Sequence, residues 1–467
     1  MIKQELAATP AIEISEELIR RFDSLGPRYT SYPTADRFNA EFDANSYIQY
    51  LKQRSAATDK PPLSLYIHIP FCASLCYYCA CNKVITKDHG RSAKYLEYLE
   101  KELNLVLSHL DGRELVSQLH LGGGTPTFLS HAELRQLMAM LRAHFDFSDD
   151  AEISIEIDPR TVTTETLQLL AELGFNRTSL GVQDFDAEVQ KAVHRIQPYE
   201  MVERSITDSR DAGFHSINFD LIYGLPKQNL ESFSKTLDQV IALSPDRIAL
   251  YNYAHLPTRF KPQRRIAESD LPSAEQRLQI FMMSLRRLLA EGYVYIGLDH
   301  FAKPDDSLAK ATLDNSIHRN FQGYTTRADC DLIALGLSAI GKIGNSYVQN
   351  LRTLDEYCAC LDKGNLPVEK GFHLSSDDLL RRQVIMDLMC SKSIDFEQVG
   401  QQYNIRFKEY FASELDQIQL YADEGLIVLN DDGVSIAPKG RLFVRAVGMV
   451  FDQYLSRQTL AKYSRLI

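Results

Sequence analysis

The chain has 467 residues, 45% hydrophobic and 24% charged, which is the composition of an ordinary globular protein with room for two or three domains. Its formal net charge of −11 argues against a nucleic-acid partner, which needs a basic face, although a local basic pocket can still receive an acidic ligand. Met1 to Pro10 holds no apolar h-region, and no run is apolar for long enough to span a bilayer, so a cytoplasmic protein without a membrane partner is expected.

Residues 1–60 read as an arm. It has a helix over Ser15 to Phe22, then a loop containing Pro and Tyr, and it ends at Pro61-Pro62. From Leu63 to about Phe301 strands and helices alternate. Strands are expected at Leu63 to Ile69, Val116 to Leu121, Glu152 to Asp158, Arg177 to Gln183, Ser216 to Ile222, Arg247 to Tyr253 and Tyr293 to Leu298. Helices fall between them: Ser92 to His109, a capped one opening at Ser130 with Glu133, Thr164 to about Gly174, helical sequence to Gly213, Leu230 to Leu243, and Ser273 to Glu291.

Such alternation implies a parallel sheet with helices outside it. Successive strands end in polar or glycine-rich sequence: the cysteine loop, Gly122-Gly123-Gly124, Glu156 with Asp158, Gln183 with Asp184, and Asn252 to His255. Asp220 sits inside the fifth strand. Polar groups at the C-terminal ends of many successive strands converge on one mouth in a barrel, whereas an open sheet gathers them at a switch point. The fold class is therefore α/β, a partial (β/α)6 barrel over residues 61–355. Residues 356–467 read as a mainly helical, winged-helix-like C-terminal domain. Helices are expected at Leu379 to Met389, Phe396 to Tyr403, Phe407 to Glu424 and Gly440 to Leu455, and a two-stranded wing around Asp431-Asp432-Gly433. Its helices carry few basic residues, so packing or a lid role is favoured over DNA binding.

Cys72, Cys76, Cys79 and Cys81 fall within ten residues. The first three have the spacing C-x3-C-x2-C, and three thiolates can hold three corners of a [4Fe–4S] cube while leaving one iron open. Cys81 adjoins the third ligand too closely to serve as a fourth corner. A structural zinc site would need a second ligand pair about 12 to 20 residues on, and none follows. A disulfide framework is not expected in a reducing compartment. Cys330, Cys358, Cys360 and Cys390 lie far from this group and read as small buried or surface side chains.

C-x3-C-x-aromatic-C after a strand, with Tyr78 in the aromatic slot, resembles the signature of the radical S-adenosylmethionine enzymes. With Cys81, Gly26 to Thr34 and His318 to Tyr324 added, the chain resembles the family of oxygen-independent coproporphyrinogen III oxidases over nearly its whole length. The resemblance implies a [4Fe–4S] cluster on Cys72, Cys76 and Cys79, and two molecules of S-adenosylmethionine. Tyr66, Gly123, Glu156 and Ile340 would meet one molecule. Tyr78, Gly124, Thr125, Gln183, Arg195, Asp220 and Ala254 would meet the second. Taken singly, each polar residue here could equally be a satisfied buried group, and the glycine run a plain turn.

Arg28, Tyr29, Tyr32, Arg319 and Tyr324 are candidates for recognising a flat acidic macrocycle. Guanidinium forks pair with carboxylates, and tyrosine rings pack on a planar π system; the alternative is an ordinary arm and loop. Gly336 to Lys342 matches the start of a phosphate loop, but Ile343 stands where a magnesium ligand belongs.

The reaction so implied is oxidative decarboxylation of two propionates of coproporphyrinogen III to vinyls, giving protoporphyrinogen IX in haem biosynthesis. A radical derived from S-adenosylmethionine would start each step by taking a hydrogen from the β-carbon. Cys81 is the candidate catalytic residue, serving electron or proton transfer, and its alternative is a packed thiol. His68 and His255 could shuttle protons or be structural. A separate electron donor such as a flavodoxin, a final electron acceptor and a monomeric enzyme are expected. The rival reading is a haem-trafficking relative; Cys81 and the Arg28 to Tyr32 arm favour the oxidase.

Overall fold

The computed structural model describes residues 15–327, 330–455 and 463, and in it six of the seven expected strands run parallel, whereas the seventh, expected at Tyr293 to Leu298, is Val294–Gly297 and pairs antiparallel with His300–Ala302. The six are β1 (Leu63–Ile69), β2 (Glu114–Gly123), β3 (Phe145–Ile157), β4 (Arg177–Gln183), β5 (Ser216–Tyr223) and β6 (Arg247–Asn252). Each is parallel to the next, in chain order. A doubly wound sheet reverses its order at a switch point. Here no reversal occurs and β1 is not paired with β6, so the arrangement is that of a barrel left open.

The alternation in β1 shows how the interior is built. Leu63, Leu65, Ile67 and Ile69 share one face and are fully buried. Ser64, Tyr66 and His68 occupy the other, and they bond inside the barrel. Ser64 Oγ donates to Gln118 Oε1 at 3.1 Å, and the Tyr66 hydroxyl lies 3.0 Å from His68 Nδ1. The helix His131–His144 opens on the anticipated capping box and buries Leu134, Leu137, Met138 and Leu141 along one stripe.

Several details differ from the sequence reading, among them the helix expected at Phe407 to Glu424, which is two helices, Phe407–Tyr410 and Ala412–Asp423. β3 begins seven residues earlier than the expected Glu152, because Phe145 to Phe147 pair with Glu114 to Val116 in a stretch whose acidic residues mask its strand character. The helical sequence after β4 is two helices, Ala187–Ala192 and Tyr199–Asp211. The break falls at His194, whose φ is +55°, and at Pro198, which caps the second helix. The final helix is also shorter, with a 3-10 stretch Pro438–Phe443 leading into Val444–Val450. At Gly440 an added Cβ would lie 1.8 Å from the Leu426 carbonyl oxygen.

β7 (Asp331–Leu335) adds in parallel to the free edge of β1, followed by antiparallel β8 (Ile340–Ile343), β9 (Ser346–Asn350) and β10 (Val368–His373). Gly336 to Lys342 is thus the β7–β8 turn and its continuation into a strand. No helix follows it, which removes the phosphate-loop reading.

Contacts group the chain into two units, and neither is one continuous stretch. Phe38–Ser284 and Asp329–His373 form the barrel unit. Met1–Arg37, Leu285–Ala328 and Leu374–Ile467 form the other, of which residues 1–14, 328, 456–462 and 464–467 lie outside the described residues. Against a linear arm (1–60), barrel (61–355) and C-terminal domain (356–467), contacts group residues 38–60 and 356–373 with the barrel and the described residues of 15–37 and 285–327 with the C-terminal region. In the second unit, Leu380, Val384, Leu388, Phe411, Val447 and Phe451 share one core with Tyr29 and Tyr32. Its wing has a third strand, Ile394–Asp395, beside Ile427–Leu429 and Gly433–Ile436. No helix among the described residues is long and apolar enough to cross a membrane.

Candidate functional site

In the barrel unit a cavity of about 410 Å3 lies where the C-terminal ends of the strands meet the loop after β1. Cys72, Cys76, Cys79 and Cys81 line it, with Tyr78, Gly123, Gly124, Thr125, Glu156, Gln183, Arg195 and Asp220. Twelve residues singled out in the sequence therefore share one cavity. Tyr66, Ile340 and Ala254 are not among its lining residues. Tyr66 stacks on His120 with ring centres 6.0 Å apart. Ile340 opens β8, and the Ala254 carbonyl accepts a bond from Gln263 Nε2 at 3.2 Å.

Backbone bonds fix the cysteine loop. Phe71–Cys72 pairs with Val84–Ile85, and the Tyr77 N–H donates to the Val193 carbonyl at 2.9 Å. Each thiol has its own surroundings. Thr125 Oγ1 donates to Cys72 Sγ at 3.4 Å; burial pushes the Cys72 thiol up to about 11, against that bond. Cys76 Sγ accepts from Arg160 Nη2 and from Arg195 Nη1, each at 3.6 Å. A hydrogen bond from Cys81 draws Cys79 down and holds the Cys81 proton on. Among the described residues no three His, Cys, Asp or Glu side chains close on one point as ligands of a single ion would. A cube places each thiolate on its own iron, so separate thiols around one cavity suit it.

The glycine run beside the cysteine loop is built by close approach. Gly123 has φ +116°, and an added Cβ would lie 2.7 Å from the His68 ring. At Gly124 it would lie 2.6 Å from the Pro70 carbonyl oxygen. The glycines are thus needed for packing against β1 and the cysteine loop, as well as for leaving backbone open to a ligand. The Gly123 N–H donates to Glu156 Oε2 at 3.0 Å. Burial pushes the Glu156 carboxyl up, but bonds from His120 and Gly123 outweigh it and hold it below the usual range. Asp220 goes the other way. Burial and the neighbouring Glu156 charge push it up to about 6, against bonds from Ser179 and Asn218. Gln183 takes φ +66° at the end of β4, where the ladder to β5 slips.

Arg195 is buried. Its Nη1 pairs with Asp158 at 3.0 Å, and its Nε has no partner among the described residues, so one donor is left for a ligand. Arg160 was not identified from sequence. It pairs with the same Asp158 at 2.7 Å. The available signal was a cation two residues past a carboxylate at a strand end. His68 bonds at both ring nitrogens, and His255 Nδ1 lies 3.0 Å from the Tyr253 hydroxyl, so both are held structurally.

The second unit brings together Arg28, Tyr29, Tyr32, Arg319 and Tyr324. The three tyrosines are buried and their hydroxyls are bonded: Tyr29 donates to Asp452 Oδ2 at 2.9 Å, Tyr324 donates to the Met389 carbonyl at 2.8 Å, and Tyr32 accepts from the Gln453 N–H at 3.3 Å. Arg28 pairs with Asp299. Arg319 lies over the Tyr324 ring at 4.8 Å and donates to the Tyr29 carbonyl, while its Nη1 has no partner among the described residues.

Residues 66–240 match the Radical SAM superfamily, and residues 374–443 match the HemN C-terminal domain. The chain is 51% identical over 453 residues to the oxygen-independent coproporphyrinogen III oxidase of Pseudomonas aeruginosa, covering 97% of this chain and 98% of that protein. It is 45% identical to the one from Escherichia coli, covering 96% and 98%. A solved structure described as "Coproporphyrinogen III oxidase (HemN) from Escherichia coli is a Radical SAM enzyme" superposes with a TM-score of 0.90 at 45% identity, over 95% of this chain and 99% of that one.

Proposed function

This chain belongs to the oxygen-independent coproporphyrinogen III oxidase family of radical S-adenosylmethionine enzymes, and on that premise we propose how its own residues divide the work. The activity is anaerobic oxidation of coproporphyrinogen III with a [4Fe–4S] cluster and S-adenosylmethionine. The haem-trafficking alternative is not favoured. When bound, the cluster and S-adenosylmethionine would supply, for each of the two decarboxylations, a carbon-centred radical able to take a propionate hydrogen, with one electron delivered to the cluster from outside.

Cys72, Cys76 and Cys79 hold the cluster, and Arg160 with Arg195 offsets the negative charge at Cys76. The open backbone of Gly123, Gly124 and Thr125, with Glu156, receives the amino-acid end of S-adenosylmethionine. Asp220 and Gln183 accept and donate to its ribose and base, and Tyr78 covers them. The count of two S-adenosylmethionine molecules, with Tyr66 and Ile340 at the first and Ala254 at the second, rests on the resemblance alone. Cys81 supports electron or proton transfer beside the cluster. Arg319, with its unpartnered Nη1, and Arg28 are the groups best suited to substrate carboxylates. The buried tyrosines serve chiefly to shape that region. The enzyme works as a cytoplasmic monomer with a flavodoxin-type electron donor and a separate electron acceptor.

The observation that supports this division most is the sharing of one cavity by the cysteine triad, the glycine wall and the Glu156–Asp220 pair. The test is anaerobic turnover of reconstituted, dithionite-reduced enzyme with S-adenosylmethionine and coproporphyrinogen III, read by mass spectrometry. Protoporphyrinogen with two 5′-deoxyadenosines per product is expected. Cleavage of S-adenosylmethionine without vinyl formation would reject the substrate.

A further inference from the structure

Each cleavage of S-adenosylmethionine takes one electron, which must enter the cluster from outside while the electron released with carbon dioxide goes to a separate acceptor, and the surface beside the cysteine loop is built unlike the rest of this acidic chain. Between Leu256 and Arg265 there are four cations, Arg259, Lys261, Arg264 and Arg265, and no acid; the next carboxylate is Glu268. All four are exposed, and among the described residues none is in an ion pair. A charge run is usually a solvated face, but this one is fastened to the cluster loop. Gln263, 1% exposed, sits in its middle and donates through Nε2 to the Tyr78 carbonyl at 3.0 Å, while its Oε1 accepts from the Leu256 N–H at 2.6 Å. Arg265 lies over the Tyr77 ring at 5.1 Å, and Tyr77 stacks on His194 at 5.0 Å. Tyr77 lies between Cys76 and Cys79. Two residues past His194, Ile196 is 64% exposed and adds an apolar element.

We infer that the segment Pro257 to Arg265, with Tyr77 and Ile196, is the docking surface for an acidic, low-potential one-electron carrier protein that reduces the cluster. The inference rests on the proposed function only in requiring an external electron. The carrier gives up one electron and is oxidised; the cluster gains it and is reduced; no bond changes. Four uncompensated cations on a chain of net charge −11 attract an acidic partner to this face, and such steering raises association rates by about 10- to 1,000-fold at low salt. Gln263 and the Arg265–Tyr77 contact hold the patch at a fixed offset from the cysteines, so docking brings the carrier to the same place each time.

The test mixes oxidised holoenzyme with reduced flavodoxin anaerobically and follows cluster reduction across ionic strength. The variant R259E/K261E/R264E spares Arg265 and its contact to the loop. Its reduction by flavodoxin is expected to slow at least about tenfold at low salt, with the wild-type fall in rate on adding salt flattened or reversed. Turnover driven by excess dithionite stays at the wild-type level. Reduction at the wild-type rate with the wild-type salt dependence would overturn the inference. Should the triple variant fail to load its cluster, the single variants R259Q, K261Q and R264Q report instead: graded slowing supports the surface, and none overturns it. Cluster reduction is read without substrate, so failure to form vinyl product would count against the proposed function and leave the docking result standing.

Discussion

Arg160 Nη2 stands 3.6 Å from Cys76 Sγ, held there by its 2.7 Å pair with Asp158. Arg195 reaches the same sulfur from the same carboxylate. Burial pushes the Asp158 carboxyl up, but the two guanidiniums win and keep it ionised. Donors to a ligand sulfur stabilise the more negative, reduced cluster and so raise its potential. Replacing Arg160 by Gln is therefore expected to leave the cluster assembled and lower its midpoint by about 60 mV, the one-electron equivalent of about 1.4 kcal/mol for a charge-assisted bond. A redox titration followed by electron paramagnetic resonance reads this directly. An unchanged midpoint would make the Arg160 contact purely structural.

The four clustered cysteines should separate into two classes. Cys72→Ser is expected to lose both the cluster iron and S-adenosylmethionine cleavage, since three corners are the minimum for a stable site-differentiated cube. Cys81→Ser should load iron normally and slow turnover. Iron analysis with single-turnover cleavage checks both. Full turnover by Cys81→Ser would end any catalytic role for that thiol.

Asp220 carries a pH dependence whose sign follows from its environment. Burial and the Glu156 charge raise it from 3.8 to about 6. The folded form then holds this proton more tightly than the unfolded chain does, so its contribution to stability is present below about pH 4 and is lost as pH rises to about 6. Ligand binding runs the opposite way, because an ionised Asp220 accepts hydroxyl bonds. S-adenosylmethionine affinity, measured by calorimetry, is expected to weaken several-fold from pH 7 to pH 5, and Asp220→Asn should flatten that profile. An equally steep profile in the variant would place the titrating group elsewhere.

Tyr29 separates packing from recognition in the second unit. Its hydroxyl donates to Asp452 at 2.9 Å with both groups buried. Tyr29→Phe leaves that carboxylate short of a donor, at a cost of about 1–3 kcal/mol, which amounts to a fall in Tm of a few degrees. KM for coproporphyrinogen III should not change. A large rise in KM with unchanged Tm would restore Tyr29 as a substrate contact.

Much of the barrel was legible because its signals are local. The alternation Leu63 to Ile69, the capping box at Ser130 and the exact span Arg177 to Gln183 each depend on residues a few positions apart. The early start of β3 was not legible, since Phe145 is recruited by pairing with Glu114. The helix break at His194 needed a left-handed backbone that no local rule demands of histidine. Arg160 is not legible in the sequence because its role depends on Cys76, 84 positions away, which only the fold brings near.

The sequence by itself determined the cluster-binding chemistry, since thiolate spacing within one loop is covalently limited and cannot be rearranged by packing. It also pointed to the order of β1 to β6, through the polar residues at successive strand ends, whereas the return of β7 to the edge of β1 was decided by the fold. Tertiary structure alone decided which polar residues share the cavity, which carboxylates rise or fall, and that Tyr29, Tyr32 and Tyr324 spend their hydroxyls on the protein. Those outcomes depend on burial and on contacts between residues tens to hundreds of positions apart, where desolvation and neighbouring charge, rather than residue type, set the chemistry.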